Sequence, residues 1–281
     1  MGEGRVESNG IEIWYEDFGD PSNPTVLLIM GAIAQAISWP LDLIEPIVDA
    51  GYHVVRFDNR DIGLSTWIDD FQANPYTLDD MAADAAGLMD ALKIERAHVI
   101  GASMGGMIAQ LIAINYADRV LSLTSWMSTY WMADPDVPAM TDEVQAVVMK
   151  LLSPPETREE IIESNMTVWR TLAGSRFPFD EEAMRAREEA AVDRGHNPRN
   201  RHSLTTMQAP SRLDALRKLD IPTLVIHGDE DPIFNYCHGV ICAKVIPGAK
   251  LYIQKGVGHE VPLGILPETV QVILEHIGSV K

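Results

Sequence analysis

Apolar residues in this chain come in two rhythms, short continuous runs and helical stripes, and the two alternate. Thr25–Met30 is an unbroken apolar run of strand length, the pattern of a strand buried on both faces. His53–Phe57, Ala97–Ile100, Val120–Ser125, Thr223–His227 and Lys250–Ile253 read as further strands. Ile11–Phe18 alternates more loosely and runs into the turn cluster Gly19-Asp20-Pro21-Ser22-Asn23-Pro24. Between these runs the period changes to that of a helix. Trp39–Ala50 is one such stretch, ended by Gly51. Thr77 can cap another, whose Leu78, Met81, Ala82, Ala85, Leu88, Met89 and Leu92 form one stripe. Met104–Tyr116, a stretch near Tyr236–Val245 and Gly264–Ile277 complete the series. Strand–helix alternation predicts an α/β fold with a doubly wound, mostly parallel sheet.

From about Ser128 to Pro210 the alternation stops. No run there reads as a buried strand, but Asp142–Leu152, Arg158–Leu172 and Glu181–Arg194 are amphipathic, with Pro154-Pro155 breaking the first. We therefore expect an α/β core from residues 1–128 and 211–281, with residues 129–210 as a helical insertion lying over it. A simple dinucleotide-binding fold is the competing arrangement, but no G-x-G-x-x-G follows a first strand.

Composition narrows the partners. The 281 residues are 46% hydrophobic, enough for a sizeable core, and no run approaches the roughly 18 apolar residues of a membrane span. With 22 Lys and Arg against 41 Asp and Glu, the formal charge of −19 repels polyanions. Nucleic acid and anionic membranes are thus unexpected partners. Cys237 and Cys242 are five apart in a helical stretch and point apart, so two reduced thiols and a cytoplasmic setting are expected. The opening Met1-Gly2-Glu3-Gly4-Arg5-Val6 lacks a secretory apolar region. No His or Cys spacing resembles a metal site, so neither a metal nor another cofactor is expected.

The chemistry concentrates in three short segments. Gly101-Ala102-Ser103-Met104-Gly105 is G-x-S-x-G between an apolar strand and an apolar helix. A serine hydroxyl attacks only when exposed, oriented and relieved of its proton. A tight strand-to-helix turn supplies the exposure, and the helix start turns its amides toward developing negative charge. Ser103 is the expected nucleophile, and the Met104 N–H an oxyanion donor.

Eight histidines compete to be its base. His98 and His227 lie in or at the end of strands, where packed, hydrogen-bonded rings are usual. His53, His196, His202, His238 and His276 give no signal beyond a solvated side chain. His259 sits in Gly256-Val257-Gly258-His259-Glu260-Val261-Pro262, a loop just past the last strand, where sites form in such sheets. It is the expected base. For the acid, His227-Gly228-Asp229-Glu230-Asp231-Pro232 follows a strand to the same edge. Asp229 lies inside the turn, where it can bond nearby amides, so Asp231 is preferred.

These segments resemble the three signatures of the α/β-hydrolases, in the order nucleophile, acid, base. Asp58-Asn59-Arg60-Asp61-Ile62-Gly63-Leu64-Ser65 is similar to the family's D-x-R-G-x-G-x-S turn, with Asp61 in place of a glycine. The resemblance runs from about Gly10 to Ile277 and implies a helical cap where the insertion lies. It also implies a second oxyanion donor after the third strand, here the backbone N–H of Ala32 in Met30-Gly31-Ala32, with Met30 where the family usually has histidine. Met30-Gly31, Trp39-Pro40 and Arg56–Asp61 are similar to the aclacinomycin methylesterase group of polyketide-tailoring esterases.

Methionine and tryptophan gather around the insertion and line adaptable apolar pockets. Met30, Trp126, Trp131, Met132, Trp169 and Met207 are the expected substrate contacts, although each could serve the insertion's own core. The expected reaction is hydrolysis of the carboxylic ester of an apolar small molecule through an acyl-enzyme. Lactonase, carbon–carbon bond hydrolase and cofactor-free perhydrolase readings share the triad, and a non-catalytic ligand receptor on the same scaffold is the other class.

Overall fold

The computed structural model describes residues 2–150, 155 and 157–280. Its strands are β1 (Gly2–Ser8), β2 (Ile11–Phe18), β3 (Thr25–Ile29), β4 (His53–Phe57), β5 (Ala97–Ala102), β6 (Val120–Trp126), β7 (Thr223–Gly228) and β8 (Lys250–Gln254). They form one sheet in the order β1-β2-β4-β3-β5-β6-β7-β8. β1 and β2 pair antiparallel, as do β2 and β4, and every later pairing is parallel. Along β3, Leu27 and Ile29 enter one core cluster while Val26 and Leu28 enter the other. Both faces are buried, which is why the strand reads as continuous rather than alternating.

Helices cover both faces. α2 (Leu78–Ala91), α3 (Met104–Asn115), α8 (Leu213–Leu216) and α9 (Cys237–Val245) pack on the face of Leu27 and Ile29. α1 (Leu41–Asp49) and α10 (Leu266–Gly278) pack on the other. Thr77 and Asp80 form a reciprocal capping box that starts α2. Between β6 and β7 lie α4 (Asp142–Met149), α5 (Arg158–Leu172), α6 (Glu181–Gly195) and α7 (His202–Gln208), with no strand among the described residues.

Several boundaries differ from expectation. β1 had no apolar signal, because it is a polar edge strand held by main-chain pairing to β2. α7 and α8 are too short for a period to stand out. α1 starts at Leu41 behind Pro40, while Trp39 is wholly buried and its carbonyl accepts from Arg56 Nη1 at 2.7 Å. The expected end of α4 at Leu152 and the break at Pro154 lie outside the described residues. Among the described residues, no helix is long and apolar enough to cross a membrane.

Candidate active site

Parallel strands bring the carboxyl ends of β3, β5, β7 and β8 to one edge of the sheet. From β3 the chain moves to β4 on one side and later returns to β5 on the other. The loops after β3 and β5 therefore part, leaving a crevice at the switch point. Ser103 sits there, between β5 and α3.

Its backbone is strained, at φ 55° and ψ −122°, at a cost of about 1–3 kcal/mol. Three contacts impose that conformation. The Ser103 N–H donates to the Trp126 carbonyl at 2.9 Å, and the Ser103 carbonyl accepts from Ser128 Oγ at 2.7 Å. α3 also begins hard against β3, where a Cβ on Gly105 would fall 2.1 Å from the Ile29 carbonyl oxygen.

His259 Nε2 lies 2.9 Å from Ser103 Oγ, and His259 Nδ1 lies 2.8 Å from Asp231 Oδ2. Asp231 Oδ1 accepts the Ile233 and Phe234 amides, each at 2.9 Å. Burial by itself would raise the Asp231 carboxyl. The His259 charge and the hydrogen bonds from His227 and His259 outweigh it and hold the group well below the usual carboxylate range. An ionised Asp231 requires the proton on His259 Nδ1, which leaves Nε2 free to accept from the serine hydroxyl. The Phe234 ring lies edge-on to His259, 5.5 Å between centroids.

Asp229 lies elsewhere, accepting the Gly256 amide at 2.7 Å and Lys255 Nζ at 2.9 Å. Met104 is the first residue of α3, so its N–H has no acceptor within the helix. The turn holding Ala32 packs on the serine, since a Cβ built on Gly31 would lie 3.0 Å from Ser103 Cβ. The Ala32 N–H has no hydrogen-bond partner among the described residues.

The expected pocket residues scatter. Trp126 is a core residue of β6, wholly buried, packed against Trp39 in a tilted pair with centroids 6.0 Å apart and hydrogen-bonded to Gln254 at 3.1 Å. Met30 joins the same cluster. Trp169 donates to Glu188 at 2.8 Å beneath the Arg187 guanidinium. Met207 is 51% exposed. Trp131 and Met132 are half-buried.

Four of the histidines read as solvated are in fact buried: His53, His202, His238 and His276. Their sequence contexts are polar, but each ring faces inward in the tertiary structure. His227 is buried as well, and its Nε2–H lies 2.8 Å from the Phe234 carbonyl and 3.3 Å from Asp231 Oδ2. It is a second imidazole on Asp231, which nothing in the sequence signalled beyond its strand-end position.

The family model described as the alpha/beta hydrolase fold matches residues 24–263. The chain belongs to the α/β-hydrolase family. Among its relatives, the rhodomycin D methylesterase DnrP of Streptomyces peucetius is 32% identical, with 96% of each chain covered. The rhodomycin D methylesterase DauP of Streptomyces sp. strain C5 is 31% identical at the same coverage. The esterase RhEst1 from Rhodococcus sp. ECU1013 superposes with a TM-score of 0.82 at 20% identity, covering all of both chains. That last likeness is one of fold.

Proposed function

We propose that this α/β-hydrolase cleaves the carboxylic ester, in particular a methyl ester, of an apolar small molecule through an acyl-enzyme. The observation that carries the reading is the continuous hydrogen-bonded chain Ser103–His259–Asp231, with its serine on a strained elbow. His259 takes the Ser103 proton as Oγ attacks the ester carbonyl, and Asp231 stabilises the imidazolium that forms. The Met104 and Ala32 N–H groups receive the oxyanion, each contributing about 3 kcal/mol. His259 then passes its proton to the departing alcohol and activates water to release the acid. The methyl-ester preference rests on the two rhodomycin D methylesterases, which match nearly the whole chain.

Residues 129–210 act in this reading as a cap that shields the serine, with Trp131 and Met132 toward the substrate. Two free cysteines fit a reducing compartment such as the cytoplasm. No cofactor takes part.

Ser103→Ala should lower turnover of an activated ester by about 10⁴-fold or more without changing the melting temperature. Retention of most of the turnover would overturn the assignment. Methyl esters of aromatic acids, assayed beside lactones and vinylogous diketones, separate this reading from lactone or carbon–carbon bond cleavage.

A further inference from the structure

The turn after β3 carries the Ala32 N–H, and it is not self-supporting. Ile33, the next residue, has φ 59°. A β-branched side chain disfavours that left-handed region, so something outside the turn must hold it there.

The holder is His202, the first residue of α7, in the segment between β6 and β7. Its ring is wholly buried. The Ile33 N–H donates to His202 Nδ1 at 3.1 Å, and His202 Nε2 lies 2.6 Å from the Arg60 carbonyl oxygen. A carbonyl only accepts, so Nε2 carries the proton and Nδ1 the lone pair, and two backbone groups fix one neutral tautomer. Burial disfavours the charged form in the same direction.

Both anchors are themselves fixed. Arg60 is clamped by Asp84 through two bonds of 2.6 Å. The Arg201 N–H, beside His202, donates to Asp61 Oδ2 at 3.0 Å, and Asn197 Nδ2 donates to Asp61 Oδ1 at 2.7 Å. On the other side of the turn, Asn59 Nδ2 donates to the Met30 carbonyl at 3.0 Å. The main chain is thus pinned at Met30 and at Ile33, and the unpartnered Ala32 N–H lies between the two pins.

We propose that His202 is a positioning residue for ester hydrolysis, holding the Ala32 N–H in line for the oxyanion through the Ile33 amide. The proposal rests on the function argued above. It makes a residue of the helical segment matter for the chemical step rather than for substrate affinity. It is a positioning residue because it touches no reacting atom.

The two ring nitrogens can be tested separately. Asn places an amide oxygen where Nδ1 stands and can accept from Ile33. Gln reaches the Nε2 position and can donate to Arg60 but leaves Ile33 without its acceptor. Steady-state hydrolysis of p-nitrophenyl butyrate by wild type, His202→Asn and His202→Gln gives kcat and KM. Inhibition by phenylboronic acid, whose tetrahedral adduct on serine mimics the oxyanion, gives a second readout that packing alone would not move.

His202→Gln should lose about 10- to 100-fold in kcat with KM within about 3-fold, and phenylboronic acid should weaken in parallel. His202→Asn, folded by circular dichroism, should keep kcat within about 3-fold of wild type. The proposal is overturned if His202→Gln keeps full kcat, if only KM rises, or if folded His202→Asn loses as much as Gln. Where His202→Gln does not fold, folded His202→Ala takes its place, with the same loss in kcat expected and the same results overturning the proposal. Ser103→Ala serves as the companion: an active Ser103→Ala enzyme sinks the hydrolase reading, whereas an inactive one beside a fully active His202→Gln sinks this inference alone.

Discussion

Asp61 occupies a position where a glycine would be easier. It has φ 70°, and its carboxylate is wholly buried. The side chain offsets that strain by accepting from Tyr76 Oη at 2.9 Å, the Ile68 amide at 2.9 Å, the Arg201 amide at 3.0 Å and Asn197 Nδ2 at 2.7 Å. Two of these donors come from the segment between β6 and β7, so the departure from the family's glycine ties that segment to the turn after β4. Asp61→Gly relaxes the backbone, but it leaves buried donors unpaired. We expect it to destabilise the fold by about 2–4 kcal/mol, read from urea unfolding. An unchanged midpoint would mean that the hydrogen bonds are replaceable. The sequence marked Asp61 as an exception to a pattern. It could not show the partners, because Asn197 and Arg201 are some 140 positions away.

Among the elements, the carboxyl end of α5 holds the backbone of His259. The His259 N–H donates to the Leu172 carbonyl at 2.8 Å, and the Gly174 amide donates to Glu260 Oε1 at 2.7 Å. Nearby, the Arg176 amide donates to the Gly256 carbonyl at 2.8 Å, and the Ser175 amide to Glu230 Oε2 at 2.7 Å. Contact is so close that a Cβ on Gly258 would lie 2.0 Å from the Leu172 carbonyl oxygen. Gly258→Ala should push the two backbones apart and shift His259. A displacement of about 1 Å in a reacting group can cost about 100-fold, so kcat should fall by that order while the secondary structure persists. Ester hydrolysis and circular dichroism check the two halves. α5 itself was legible from its apolar spacing, since a helix face repeats within a few residues. Its landing place was not, because a helix end carries no local mark of the loop it will meet.

For the molecule as a whole, buried imidazoles set the response to acid. Burial pushes His98, His238 and His276 down to about 4. In the unfolded chain a histidine titrates near 6.5, roughly. Between those values the unfolded chain binds more protons, so the part of the stability that depends on these rings is complete above about 6.5 and is lost as the pH drops toward 4. The urea midpoint should follow that course. The buried His276 ring nitrogens make no well-formed hydrogen bond and face the backbone of Leu123 and Pro222, so His276→Met should shrink the loss between pH 7 and 4.5. An identical pH slope in the variant would remove His276 from the account.

By itself, the sequence determined whatever is written in neighbouring residues. That includes the strands of the parallel sheet, the long helices, the elbow at Ser103 and the two loops that hold Asp231 and His259. Periodicity and turn chemistry are local, and parallel strands must deliver their loops to one edge. Only the tertiary structure decided that Trp126 is core, that His202 reaches the turn at Ala32, that His227 backs Asp231 and that α5 clamps His259. Those contacts join donors and acceptors far apart in the chain. A single hydrogen bond needs only one atom of each kind at the right distance, so it leaves no pattern along the sequence from which it could be read.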